Sequence, residues 1–257
     1  MTRDRGRKLW GMAMATCILL AVAAGAGAQE IVFNTQEFAP FSYLSGTEVA
    51  GPAADVIKAV CKAMGQPYRL VLLPWTRAQQ EVKDGKAQAL FLIGWNADRE
   101  AALWPSPAVL DTEYGFFVRA DNPLQFKEPG QLSGYSVAVY GPSNTATTLE
   151  KVREKEPGFA VEVSPDDESV FRKLDSGRVM AAFSNRDVGL AIVKKLGLKN
   201  VRYAGMQSKL KYFIGFSKTT VPKATVDKFN ETYRKLWVSG EIPRILKGYG
   251  LEPSALE

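Results

Sequence analysis

The residues best placed to do chemistry sit in the stretch ALFLIGWNADREAALWPSP, positions 89–107. Five apolar residues, Ala89 to Ile93, read as a buried strand that Gly94 ends. Trp95, Asn96, Asp98 and Arg99 follow at once, past the carboxyl end of the strand, where open α/β sheets place their ligands. The Arg99 guanidinium is a planar fork of donors that matches a carboxylate. The same side chain can equally be a surface cation paired with Asp98 or Glu100. Position alone leaves both open.

The residue inventory narrows the chemistry further. Histidine is absent from all 257 positions. That excludes Ser-His-Asp triads, Cys-His dyads and the usual zinc sites. No metal and no cofactor are expected, and catalysis would have to run on carboxylates, Lys, Tyr or Ser. Of the two cysteines, Cys17 lies in the N-terminal apolar run and Cys61 on the apolar face of a helix, where it reads as a core thiol.

The elements that must position these residues begin after a targeting segment. Arg3, Arg5, Arg7 and Lys8 precede an apolar run from Leu9 to Ala24, roughly 16 residues against the about 20 needed for a membrane span. Ala26-Gly27-Ala28 is an A-x-A cleavage site. The residues before Cys17, Met14-Ala15-Thr16, do not make a lipoprotein signal. The chain is therefore expected to be exported and cut near Ala28, with the mature part starting at Gln29. Loss of four basic residues and one acidic one (Asp4) brings the net charge from +6 to +3. The rest is mildly basic with mixed signs, which gives nucleic-acid binding no support.

Along the mature chain, Ile31 to Phe33 is a strand, residues 52–64 an amphipathic helix with Pro52 in its first turn and Gly65 at its end, and Tyr68 to Leu73 a second strand. Trp75 opens a helix that ends at Asp84-Gly85, and Ala89 to Ile93 is the third strand. This β-α-β-α-β order argues for a parallel sheet with helices on its faces. Glu113 to Val118 is another strand, and Asp121-Asn122-Pro123 reads as a crossing between lobes. A second α/β set follows: strands at Ser136 to Tyr140, Phe159 to Val163 and Val179 to Phe183, helices at about 145–155, after Ser164 or Asp166, and from Asn185 to Leu196. A short strand at Val201 to Tyr203, a return strand at Lys211 to Phe216 and two terminal helices complete the chain.

Five motifs then occur in a familiar order: PFSY (40–43), GPAADVIKAVCKAMG (51–65), GWNADRE with WPSPAV (94–100, 104–109), SVAVYGPSNT (136–145) and DSGRVMAAFSNRDVG (175–189). On these the chain resembles the extracytoplasmic solute-binding proteins of family 3, the polar amino acid type, which serve ABC importers. PWTRA (74–78) marks a divergent subgroup. The resemblance implies an α/β, two-lobed clamshell of the type II periplasmic-binding-protein fold, each lobe a mixed, mostly parallel sheet flanked by helices. Lobe one would comprise residues 29–119 and 213–257, lobe two residues 120–212. It also implies a periplasmic monomer that binds a small polar solute, an amino acid or a small carboxylate, and hands it to an inner-membrane permease. A cleft enzyme of the dehydratase kind and a ligand-presenting sensor for a membrane receptor are the alternatives. For the enzyme, Glu37, Glu48, Asp55 and Glu113 are the nearest acid/base candidates.

By the same resemblance Arg99 stands where the family grips the ligand α-carboxylate, and Gly94 and Asn96 where it often has Ser or Thr. Trp95 lies beside them. Phe41 or Tyr43 stands at the aromatic wall. Ser143, Asn144 and Thr145 stand near the second carboxylate contact, at a helix N-terminus where free N–H groups attract anions. Asn185 departs from the family, which has an Asp there to pair with the ligand α-ammonium. Asp187, two residues on, is a possible substitute. An Asn185→Asp change is accordingly expected to improve affinity for ordinary α-amino acids. Trp75, Trp95, Tyr114 and Tyr140 are candidates for an aromatic box or for plain core packing.

Overall fold

The computed structural model describes residues 29–256. The expected targeting segment lies outside the described residues. Among those described, no helix is long and apolar enough to cross a membrane.

The first half of the chain builds β1 (Ile31–Thr35), the hairpin strands β2 (Tyr43–Ser45) and β3 (Glu48–Ala50), α1 (Pro52–Met64), β4 (Tyr68–Leu72), α2 (Trp75–Lys83) and β5 (Ala89–Gly94). β1 lies between β4 and β5, parallel to both. Both faces of β1 and β5 are covered, so every residue of each is buried, and each reads as a nearly continuous apolar run. α1 forms as its spacing predicts. Ala53, Val56, Ile57, Val60, Cys61 and Met64 face inward, and Gly65 ends the helix in the left-handed conformation. Burial pushes the Cys61 thiol up to about 12, so it stays protonated and inert.

α3 (Ala97–Ala102), β6 (Leu103–Pro105) and β7 (Leu110–Arg119) come next. The second half supplies β8 (Ser136–Tyr140), α4 (Asn144–Lys155), β9 (Ala160–Ser164), α5 (Asp167–Asp175), β10 (Ala181–Asn185) and α6 (Arg186–Leu196). β11 (Val201–Ser217), α7 (Lys223–Val238) and α8 (Glu241–Gly248) finish it. One mixed sheet runs through both halves in the order β4-β1-β5-β11-β7-β10-β8-β9, with β6 also on β11.

The junction differs from the sequence reading. The short strand at 201–203 and the return strand at 211–216 are one strand, β11, paired antiparallel with β7 from Val201 to Tyr212 and with β5 from Tyr212 to Phe216. The segment between them has no apolar run, so periodicity did not mark it. Pairing with β7 holds it instead, through two register shifts. One falls at Gly205, where φ is +155° and a Cβ would lie 2.3 Å from the Phe126 carbonyl oxygen, so only glycine fits. β7 likewise borders β10 through Tyr114–Val118. β7 and β11 thus link the two halves, β11 pairing with β5 and β7, and β7 with β10.

The largest apolar cluster runs through both halves, joining Phe33 and Phe216 of the first to Phe117, Phe171 and Val188 of the second, and a second cluster lies in the second half. Phe33, Phe216 and Phe229 pack edge to face beneath α1 and α7. Phe116, Phe126 and Phe183 pack with Val137, Val139 and Leu149 in the second half.

Candidate functional site

Arg99 is placed by its own short helix. Asn96 caps α3, its Oδ1 accepting from the Arg99 N–H at 3.0 Å. The Arg99 side chain then folds back, and Nη1 donates to the Gly94 carbonyl at the end of β5. The guanidinium lies over the Trp75 ring, 5.6 Å from its centre. Asp98 and Glu100 do not pair with it, and among the described residues no carboxylate does. Burial pulls its pKa down, while the Tyr114 and Tyr212 hydroxyls act in the opposite direction. Arg99 is thus, among the described residues, a half-buried cation without an acidic partner.

The second half meets this point through Asn144. Its Oδ1 accepts from Asn96 Nδ2 at 3.0 Å, and its Nδ2 lies 3.4 Å from the Tyr114 hydroxyl. Gly94 makes the approach possible, since a Cβ there would stand 2.8 Å from Asn144 Nδ2. Ser143 caps α4. Its Oγ accepts from the Ala146 N–H at 3.1 Å and donates to the Tyr140 carbonyl. Thr145 lies half-buried in the first turn. Gly94, Asn96, Arg99, Ser143, Asn144 and Thr145 therefore form one cluster, drawn from the end of β5 and the start of α4.

A cavity of about 770 Å³ is walled by both halves and reaches the neighbours of that cluster, Trp75 and Tyr140, but none of the six cluster residues lines it. Phe38, Trp75 and Gln36 line it from the first half, and Tyr140, Asp167 and Ile192 from the second. The Tyr140 hydroxyl donates across it to Gln36 Oε1 at 3.2 Å. Burial pushes the Tyr140 phenol up to about 12, with the Asp167 and Asp166 charges adding to the shift.

Other expected residues take different places. Phe41 is fully buried, against Phe38 and Tyr212 at 5.7 and 5.8 Å between ring centres. Phe38 is the aromatic that reaches the cavity. Tyr43 sits on the β2–β3 hairpin and is not part of the cavity wall. Trp95 packs on Phe213 at 5.6 Å and lines a separate depression of about 290 Å³ with Pro105 and Arg234. Strand alternation explains this. Gly94 and Trp95 are successive residues at a strand end, so the Trp95 ring points to the face opposite the one on which Gly94 meets Asn144.

Asn185 is the buried N-cap of α6. Its Oδ1 accepts from the Asp187 and Val188 N–H groups at 2.9 and 3.1 Å. Its Nδ2 donates to Thr112 Oγ1 at 2.8 Å and to the Tyr212 hydroxyl at 3.2 Å. All four hydrogen-bonding positions of the amide are taken by the fold. Asp187 Oδ2 accepts from Thr112 Oγ1 at 3.1 Å and is not on the cavity wall.

The acid the cavity does present is Asp167, in the first turn of α5. Its Oδ1 has one contact, Ser184 Oγ at 3.4 Å. Burial raises its carboxyl to about 7, the Asp166 charge adds to the shift, and the Ser184 contact opposes it. Sequence reading did not reach Asp167: it took this segment only as the start of a helix capped by Ser164 or Asp166. The signal was the apolar face of α5, Val170, Phe171 and Leu174, which packs the helix and sets its first turn at the cavity. Of the four carboxylates named from sequence, Glu37 alone lines the cavity. Asp55 accepts from Tyr249, Glu113 accepts from Tyr203, and Glu48 lies on the hairpin.

The sequence profile described as "Bacterial extracellular solute-binding proteins, family 3" matches residues 31–252. No curated protein sequence matches the chain. Several solved structures share its fold. A histidine kinase sensor domain with similarity to periplasmic binding proteins superposes with a TM-score of 0.79 at 19% identity, covering 89% of this chain and 99% of that one. An ancestral arginine-binding protein bound to arginine gives 0.76 at 21%, covering 86% and 97%. The arginine-, lysine-, histidine-binding protein ArtJ from Geobacillus stearothermophilus gives 0.75 at 22%, covering 88% and 97%. The fold is thus the two-lobed type II periplasmic-binding-protein architecture, mixed α/β.

Proposed function

The chain belongs to the bacterial extracellular solute-binding proteins of family 3, and we propose that it is a periplasmic receptor that captures a small polar solute, an amino acid or small carboxylate, for an ABC importer. The observation that carries this reading is Arg99, a half-buried guanidinium with no acidic partner, positioned by Asn96 and Gly94 at the cleft between the halves. A ligand carboxylate would meet Arg99 and the first-turn N–H groups of α4. The two lobes would close about β7 and β11, with Asn96–Asn144 and Tyr140–Gln36 as the contacts made on closure. The protein acts as a monomer and performs no catalysis. Of the carboxyls on the cavity wall, Asp166 is taken by Ser169 and Glu168 by Arg172 and Lys195, and Asp167 meets only the Ser184 hydroxyl, an arrangement that suits holding a ligand charge.

The test is thermal melting of the purified protein with amino acids, small carboxylates and amines. A ligand at about 100 times its Kd adds about 2.7 kcal/mol, a rise of roughly 5–10 °C for a chain this size. Silence across all three classes rejects the receptor reading. The sensor-domain likeness supports one second reading, in which the closed form is presented to a membrane receptor kinase. Pull-down of a solubilised kinase, and not of a permease, by the liganded protein would favour it.

A further inference from the structure

Three acids open α5, and the structure gives each a different use. Asp166 caps the helix, with Oδ1 accepting from the Ser169 N–H at 2.6 Å and Oδ2 from Ser169 Oγ at 2.8 Å. Glu168 takes both cations of that wall, Lys195 at 2.7 Å and Arg172 at 3.6 Å. Asp167 is left with the long Ser184 contact and, among the described residues, no cation. Its carboxyl faces the cavity between the aromatic surfaces of Phe38, Trp75 and Tyr140 and an apolar floor of Val188 and Ile192.

Ser184 is the neighbour of Asn185 at the end of β10. Asp167 therefore brings a carboxylate to the neighbour of Asn185, the position at which the family resemblance implies an acid, but from another element. Tyr212 connects the two ends of the site. Its hydroxyl accepts from Asn185, feels the Asp167 charge, and lies close enough to Arg99 to act on it. A carboxyl in this setting is costly to ionise alone, and a cation beside it removes that cost. Aromatic walls add to the attraction for an ammonium or guanidinium.

Resting on the receptor reading above, we propose that Asp167 is the acceptor for a positively charged amine or guanidinium of the ligand, and that the solute is therefore cationic at the end away from Arg99. Asn185 then serves the fold, not the ligand, and Asp167 sets the specificity for charge.

The experiment is calorimetry and melting of the purified protein with agmatine and putrescine (amines without a carboxylate), L-arginine and L-lysine, and succinate and glutarate (carboxylates without an amine). The amines are expected to bind. Asp167→Asn should weaken each by about a hundredfold or more, as for a buried pair that loses one partner. Glu168→Gln, which removes a neighbouring negative charge, should change amine affinity by about threefold at most. The unliganded Asp167→Asn protein should melt no lower than the parent, since it loses an unpaired carboxyl. Amine affinity retained in Asp167→Asn overturns the proposal, as does an equal loss in Glu168→Gln. Amine silence with succinate binding retained overturns it and leaves the receptor reading standing. Agmatine binding that needs Asp167 and is untouched by Arg99→Ala supports it, since agmatine has no carboxylate for Arg99 to meet, whereas L-arginine binding untouched by Arg99→Ala would refute the role given to Arg99.

Discussion

Arg99 and Asp167 lie on opposite halves of the molecule, and they are mirror cases. Arg99 is a cation without an acid, held by a carbonyl, a helix cap and an indole face. Asp167 is an acid without a cation, held by one serine hydroxyl. Elsewhere on this surface charges find protein partners cheaply. Glu168 holds two cations, and Glu113 pairs with both Arg186 and Tyr203. The difference teaches where the fold has left charge unspent. Desolvating a charge costs several kcal/mol, so a cation stacked on Trp75 and an acid on the cavity wall that Trp75 also lines are, on the proposed reading, what a zwitterionic or cationic amino acid would neutralise.

Arg99→Ala separates the two ends most sharply. It should weaken binding of carboxylate ligands by a hundredfold or more in calorimetry while shifting the unliganded melting point by only a few degrees. Unchanged affinity would break the comparison at its first member.

The next effect concerns Asp167 and pH. Its carboxyl sits at about 7 in the unliganded protein, above the usual carboxylate range. The ionised fraction, and with it amine affinity, should rise about tenfold between pH 6 and 8. The groups facing it are Asp166, Glu168, Arg172 and Lys195 on the second half and Glu37 on the first. Stability runs the other way. The folded state holds this proton more tightly than the unfolded chain, so the Asp167 contribution is largest below about pH 4 and falls as pH rises toward 7. Melting curves of the parent and Asp167→Asn should diverge in the variant's favour across that range.

Asn185→Asp sharpens the contrast from the other side. The sequence comparison made it a gain for amino acid binding. The saturated amide reverses that expectation, because a carboxylate cannot donate to Thr112 and Tyr212. The variant should lose about 1–3 kcal/mol of stability in denaturant titration and gain no affinity. A tighter amino acid complex would show that residue 185, not Asp167, is the ammonium site.

Gly94→Ala should have a smaller effect. Its methyl would press on Asn144 Nδ2 and hold the halves apart. A larger radius of gyration in solution scattering and a severalfold weaker ligand complex are expected. Arg77→Ala, an exposed pair with Glu81, should stay within about 0.5 kcal/mol in melting.

The amino-acid sequence was enough for α1, β5, β8 and the alternation of strands and helices, because each is a local pattern: a 3.6-residue stripe, an apolar run, a proline or glycine stop. It was also enough for the family, since five motifs keep their order along nearly the whole mature chain. The placement of Arg99 just past a buried strand was legible, because the apolar run of β5 ends at Gly94. The single long β11 was not, since its middle is held by pairing with β7 and not by its own residues. Nor was the role of Phe38 over Phe41, or the outward turn of Trp95, because both depend on which face a side chain takes at a strand end. The unpaired state of Asp167 was the least legible. It depends on Asp166 being spent on a helix cap and Glu168 on cations from α5 and α6, and only tertiary packing decides which of three adjacent acids is left without a partner.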